Sequence, residues 1–145
     1  MKTEKAEVTW EYENGQLAYE QYRLNGNLHN PNGPAFRSWY DNGQLKSEEY
    51  HINGNLHNPN GPAIRYWYKD GQLQYESYRL NGKIHNPNGP AYREWYENGQ
   101  LASEEYWLNG EKLTKEQFEK RKNSCDCEGK VIEIEGKKYE LKLVS

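Results

Sequence analysis

Three histidines recur at a fixed spacing: His29, His57 and His85 each follow the last by 28 residues. Imidazole is the usual side chain for metal ligation and for proton transfer near neutral pH, so a periodic triplet is the first candidate for chemistry. With three strands per period at ~4.8 Å per strand, equivalent residues would stand roughly 14 Å apart. Ligands of one zinc ion must each reach ~2.0–2.1 Å, so a shared metal site is not expected. The expected role is structural, with each ring bonding a turn. His51 stands alone at a variable position and reads as a contact residue. Arg37, Arg65 and Arg93, with Glu48, Glu76 and Glu104, resemble acid–base pairs, but a carboxylate held beside a guanidinium makes a poor general acid. They also come in triplicate, whereas a catalytic constellation is unique. Cys125-Asp126-Cys127 offers two thiols with no second pair and no adjacent His, too few for a closed zinc site. No G-x-S-x-G, H-E-x-x-H or phosphate-binding glycine motif occurs. The expectation is a protein that is not an enzyme, with no catalytic residues, no cofactor and no metal.

The elements that position these residues follow from the composition. Of 145 residues only 34% are hydrophobic, and 13 Tyr and 5 Trp stand against 2 Phe and 1 Met. Apolar burial must therefore come from amphipathic rings that keep a polar tip. The net charge of −3 lacks the basic excess of a phosphate-backbone binder, so general nucleic-acid binding is not expected. Lys112–Lys122 is basic in places, but Glu111, Glu116 and Glu119 adjoin or interrupt it, as on a solvated helix face. No apolar run reaches membrane-spanning length, and the N-terminal residues lack the apolar core of a secretory signal. With two closely spaced Cys, a reduced, cytoplasmic setting is the expectation.

Gly15, Gly43, Gly71 and Gly99 share the 28-residue spacing, and a period of this size marks a repeat architecture. Asn42-Gly43, Asp70-Gly71 and Asn98-Gly99 read as two-residue type I′ hairpin turns, and so do Asn25-Gly26, Asn53-Gly54, Asn81-Gly82 and Asn109-Gly110. The Asn-Pro-Asn-Gly of 30–33, 58–61 and 86–89 fits a type I turn ending on a left-handed Gly. The fold class expected is mainly β: an antiparallel meander of about three short strands per 28-residue unit. A turn at Asn42-Gly43 places Arg37 opposite Glu48, and the equivalent turns place Arg65 opposite Glu76 and Arg93 opposite Glu104. Opposite charges across a ladder contribute roughly 0.2–1 kcal/mol each.

This register divides two faces. One repeats almost unchanged: Trp39, Trp67 and Trp95; Tyr22, Tyr50, Tyr78 and Tyr106; and the three periodic histidines, with His57 opposite Ala63. It is the expected packed side. The other face, which takes in Leu45, varies: Phe36, Ile64 and Tyr92; Tyr19, Ser47, Tyr75 and Ser103; Arg23, His51, Arg79 and Trp107. Positions that differ between otherwise identical units read as free of the fold's demands. Their Tyr, Trp, Arg and His content suits a protein interface, although drift on a solvated face would look the same.

Residues 1–110 thus form four β-repeats, the last partial, and residues 111–145 form a C-terminal cap. Thr114 with Gln117 has capping-box form and predicts a helix over 115–122. Val131–Ile134 and Tyr139–Leu143 predict a hairpin. Repeat arrays need such terminal units, because an open sheet edge invites further pairing.

The pattern Tyr-x-Asn-Gly-Gln-Leu-x-x-Glu-x-Tyr-x-Leu-Asn-Gly, carried with small changes by 12–26, 40–54, 68–82 and 96–110, resembles the MORN-repeat-variant family. The inserted His-Asn-Pro-Asn-Gly-Pro-Ala resembles repeat proteins of bacteria and their viruses. The resemblance implies β-hairpin repeats, no catalytic residues and an interaction scaffold. Some members are antitoxin-like, and MORN repeats have been linked to membrane lipids. The 28-residue unit exceeds the usual MORN period. The function expected is a protein–protein interaction module, such as a small inhibitor, an antitoxin-like protein or a phage-encoded antagonist of a bacterial defence protein. Its partner would contact Tyr19, Arg23, Phe36, His51, Tyr66, Tyr75, Arg79, Tyr92 and Trp107, without membrane insertion. The alternative is glycan, small-ligand or nucleotide binding through exposed Tyr and Trp; a third is an enzyme using the C-terminal segment.

Overall fold

The computed structural model describes residues 5–123, 131–134 and 137–140. Its strands are β1 (Lys5–Glu11), β2 (Leu17–Leu24), β3 (Asn27–Leu28), β4 (Phe36–Trp39), β5 (Leu45–Glu49), β6 (His51–Ile52), β7 (Asn55–Leu56), β8 (Ile64–Trp67), β9 (Leu73–Ser77), β10 (Arg79–Leu80), β11 (Lys83–Ile84), β12 (Tyr92–Trp95), β13 (Leu101–Leu108) and β14 (Glu111–Leu113). Helix α1 (Lys115–Asn123) follows, then β15 (Val131–Ile134) and β16 (Lys137–Glu140). The main antiparallel sheet runs β1-β2-β4-β5-β8-β9-β12-β13-β14.

The meander is divided along its length. β5 and β6 form one extended run interrupted at Tyr50. The lower part, β5, pairs with β4 and then directly with β8, while the upper part, β6, folds back on β7. Successive upper hairpins are joined by Asn30 N–H to the His51 carbonyl (3.0 Å) and Gly54 N–H to the Leu28 carbonyl (2.8 Å). A repeat is therefore two strands wide in each ladder instead of three, and equivalent residues lie roughly 10 Å apart. Consequently Ala63 meets Tyr50, whose N–H donates to the Ala63 carbonyl at 2.8 Å, and not His57. Ala35, Ala63 and Ala91 sit where the Asn-Pro-Asn-Gly segment re-enters the sheet, and each is 0% exposed.

The turns differ among themselves. Asn25, Asn53, Asn81 and Asn109 and the Gly after each all have positive φ, as type I′ requires. At Asn42-Gly43, by contrast, only Gly43 is left-handed (φ 82). Gly43 N–H bonds the Tyr40 carbonyl at 2.9 Å and Tyr40 N–H the Gln44 carbonyl at 2.8 Å, which makes a type I turn closed by a glycine bulge. That loop shifts the pairing by one residue, so Trp39 meets Leu45. The irregularity between Ser38 and Trp39 restores the alignment, and Arg37 meets Glu48 as expected. Leu45 thus shares the face of Trp39, contrary to the sequence reading. Asp70-Gly71 and Asn98-Gly99 repeat this geometry. Gly33, Gly61 and Gly89 are not left-handed. Their loops are closed by an Asn instead: Asn58 Oδ1 accepts from Asn60 N–H (3.0 Å) while its amide donates to the Pro62 carbonyl (2.9 Å).

The only hydrophobic cluster among the described residues joins Tyr106, Leu113 and Phe118, with Leu108 against it. Helix α1 is placed by a complete capping box: Thr114 Oγ1 accepts from Gln117 N–H (3.1 Å) and Gln117 Oε1 from Thr114 N–H (2.9 Å). This seats Phe118, 1% exposed, on the Tyr106 ring at 4.9 Å. Elsewhere, among the described residues, the face expected to be packed carries no second layer. Trp39, Trp67 and Trp95 and Tyr22, Tyr50 and Tyr78 stay half-buried, with the Asn-Pro-Asn-Gly loops beside Tyr50. β15 and β16 pair as an antiparallel hairpin. Residues 135–136, Cys125-Asp126-Cys127 and residues 141–145 lie outside the described residues.

Candidate functional site

Strand alternation sends the two families of residues to opposite faces. On the repeating face Glu20, Arg37, Glu48, Arg65, Glu76, Arg93 and Glu104 are opposed in unbroken series across the strands. Arg37 lies 3.0 Å from Glu20 and 3.5 Å from Glu48, and Arg93 lies 3.1 Å from Glu76. The pairs inside a hairpin, visible in the sequence, are thus half of a ladder whose other half joins neighbouring repeats. Glu48 and Glu76 are mostly buried and each serves two guanidiniums. Tyr50 and Tyr78 have their hydroxyls pushed up, first by burial and next by the charges of Glu48 and Glu76. These groups hold one another, and their geometry offers no acid and base facing a common substrate.

The histidines stitch repeats together. His29, His57 and His85 each present Nδ1 to the backbone N–H of Asn53, Asn81 and Asn109, at 3.1, 3.2 and 3.0 Å. Asn53, Asn81 and Asn109 are each the first residue of a type I′ turn, so their N–H groups point away from the hairpin and bond this outside acceptor. Among the described residues no group of three metal-ligating side chains occurs.

The other face carries the nine proposed contact residues. Tyr19 and Phe36 stack at 6.2 Å, and Tyr75 lies 5.6 Å from Tyr66 and 5.1 Å from Tyr92. The Tyr66 hydroxyl donates to Glu49 (3.3 Å) and the Tyr92 hydroxyl to Glu94 (2.9 Å). Burial, then the Glu94 carboxylate, pushes Tyr92 up to about 12. These rings form a stripe across β2, β4, β8, β9 and β12. A groove of about 390 Å³ opens beside Tyr12, Tyr19, Phe36 and Tyr66.

Arg23, His51, Arg79 and Trp107 lie at the upper end of this face, and they do not vary freely. Arg23 donates to Gln21 (Nη2, 3.0 Å), His51 Nε2 meets Glu49 (2.8 Å) and Trp107 Nε1 donates to Glu105 (2.8 Å). In each case the polar tip is matched to an acceptor two residues earlier. In the third repeat that position is Ser77, too short to reach, and Arg79 Nε is buried without a partner, as is Ser77 Oγ. His51 is 8% exposed and also contacts the Gly54 carbonyl, so it is a buried part of the sheet and not a free contact. The signal for this pairing was present in the sequence as matched changes two residues apart. Glu105 additionally pairs with Lys112, whose ammonium lies 5.8 Å over the Trp107 ring. Those bonds, from Lys112 first and Trp107 second, hold the Glu105 carboxyl below its usual range.

The MORN repeat variant family model matches residues 5–25, 35–56 and 91–109. These segments coincide with β1–β2, β4–β7 and β12–β13. Three segments of the chain are thus similar to MORN-variant repeats. No curated protein matches it, and no solved structure does. MORN repeats are in general non-catalytic modules that bind proteins or membranes. No helix among the described residues is long and apolar enough to cross a membrane.

Proposed function

We propose that this protein is a non-catalytic scaffold that seats another protein on its variable face, in the manner of a small cytoplasmic inhibitor or antitoxin-like protein. A phage-encoded antagonist of a bacterial defence protein belongs to the same reading. The observation that supports it is the ring stripe of Tyr66, Tyr75 and Tyr92. These are rigid amphipathic side chains, half-buried within their own sheet. Such rings provide contact area at small entropic cost, and no element among the described residues covers them. Tyr19, Arg23, Phe36, Arg79 and Trp107 extend the surface; His51 supports it from beneath.

Affinity capture with the intact chain tests this reading, using the Tyr66→Ala/Tyr75→Ala/Tyr92→Ala variant as control. Loss of one specific protein from the control, with the circular dichroism spectrum retained, supports the reading. Equal capture by both proteins would refute the face assignment. The groove at Tyr12, Tyr19, Phe36 and Tyr66 favours the alternative, a glycan or nucleotide ligand. Intrinsic fluorescence shifts on adding oligosaccharides or nucleotides, with no protein captured, would select it.

A further inference from the structure

Each repeat docks the next through the same small set of contacts. Arginine meets the preceding glutamate, as in Arg37–Glu20 and Arg93–Glu76. A tyrosine hydroxyl reaches the following tryptophan carbonyl, 2.8 Å for both Tyr40–Trp67 and Tyr68–Trp95. The fourth repeat carries the same docking groups, and among the described residues no further repeat meets them. Tyr96, equivalent to Tyr68, is 57% exposed, and Leu101 is 48% exposed. The Glu104 side chain is 32% exposed against 9% for Glu76, and it meets one arginine where Glu76 meets two. Among the described residues nothing pairs with the outer edge of Leu101–Glu105, since β14 covers only Tyr106–Leu108.

Among the described residues the chain itself does not supply a strand there. The residue 28 positions beyond Arg93 is again an arginine, Arg121. It lies on α1 and forks onto Glu111 at 2.8 Å. A second copy of the chain fits poorly. Its β1 occupies the place of β4 in the preceding hairpin, with Thr9 opposite Glu20. Docked in that register, β1 would set Thr9 against Glu104, flanked by Glu7 and Glu11, and so bring acid to an acidic edge.

We infer that the outer edge of Leu101–Glu105 accepts an extended segment of a partner protein as an additional antiparallel strand, with an arginine opposite Glu104. Strand addition uses backbone bonds for affinity and alternate side chains for selectivity. Here the selecting groups are the part-exposed carboxylate of Glu104, which meets one arginine and accepts from the Tyr106 hydroxyl at 3.1 Å, and the exposed Tyr96. The site is separate from the variable face, so either proposal can fail alone.

The probe is a fluorescein-labelled peptide with the sequence of residues 61–68, Gly-Pro-Ala-Ile-Arg-Tyr-Trp-Tyr, the strand that fits the corresponding internal edge. Fluorescence anisotropy with the intact chain should show saturable binding. An Arg65→Glu version of the peptide should bind at least ~10-fold more weakly. A Glu104→Arg protein should reverse that preference, and a Glu104→Gln protein should weaken binding without reversing it. Hydrogen exchange should slow at 101–105 and not at 64–77. Absence of binding, equal binding of both peptides, or protection confined to the tyrosine stripe would overturn the inference. Self-association abolished by Glu104→Arg would also overturn it, in favour of a second copy. Glu104→Gln keeps the test open if the charge-reversed protein fails to fold.

Discussion

The two faces of the sheet are built on different contact rules. On the repeating face the polar contacts join neighbouring repeats as well as the two strands of each hairpin: Arg37 reaches Glu20 as well as Glu48, His57 reaches Asn81 and, at the sheet's margin, Tyr40 reaches Trp67. On the variable face they close mainly within one repeat, as in Arg23–Gln21, His51–Glu49 and Trp107–Glu105, with Tyr66–Glu49 the exception. A contact that crosses the period constrains every copy at once, because each arginine donates to the glutamates on both sides and each inner glutamate accepts from two arginines. A contact inside a copy constrains only its two members. Invariance in this chain therefore follows the stacking of units, and variation falls in matched pairs in three of the four repeats, Ser77 and Arg79 being the exception.

That contrast can be broken by mutation. The largest loss belongs to Phe118→Ala, which empties the buried seat on Tyr106. It should cost about 3–5 kcal/mol, read as a lower midpoint in urea unfolding. Glu76→Ala strands Arg65 and Arg93 together. Since both guanidiniums are about a third exposed, the cost falls below that of a fully buried pair, at roughly 1–3 kcal/mol. Thermal melting should rank it above Glu104→Ala, which frees one arginine and the Tyr106 hydroxyl; the reverse ranking would dissolve the ladder explanation. On the variable face, Gln21→Ser copies the third repeat and removes the acceptor of Arg23. A loss of about 0.5–1.5 kcal/mol is expected, and no loss would mean the paired variation is incidental. Smallest is an alkaline effect at Tyr92. Its hydroxyl is raised to about 12, above the ordinary ~10 of an unfolded tyrosine. Between these values the unfolded chain gives up its proton first, so stability is full below pH ~10 and declines as pH rises through the folded value. Tyr92→Phe should flatten that decline in stability measured against pH.

Much of the fold was legible because it is written locally and repeated. Asn53-Gly54 announces a two-residue reversal because both residues tolerate positive φ. Thr114 with Gln117 announces a helix start because each satisfies the other's backbone N–H. The Arg37–Glu48 alignment survived an error in turn type only because a one-residue irregularity near Trp39 cancels the shift of the glycine bulge. The candidate face was legible as a pattern of difference, but not the burial of His51, since its acceptor Glu49 looked like one more variable residue.

Residue order alone settles the 28-residue unit, its reversals and the pairing inside each hairpin, because these depend on neighbours a few positions apart. How units meet was decided in three dimensions. The branching of each long strand at Tyr22, Tyr50 and Tyr78 lets one ladder join β5 to β8 while another joins β6 to β7. Which of these pairings wins depends on distant backbone groups competing for the same N–H and C=O partners. That competition also placed Ala63 beside Tyr50, completed the arginine–glutamate ladder between repeats, and left Glu104 at its open end.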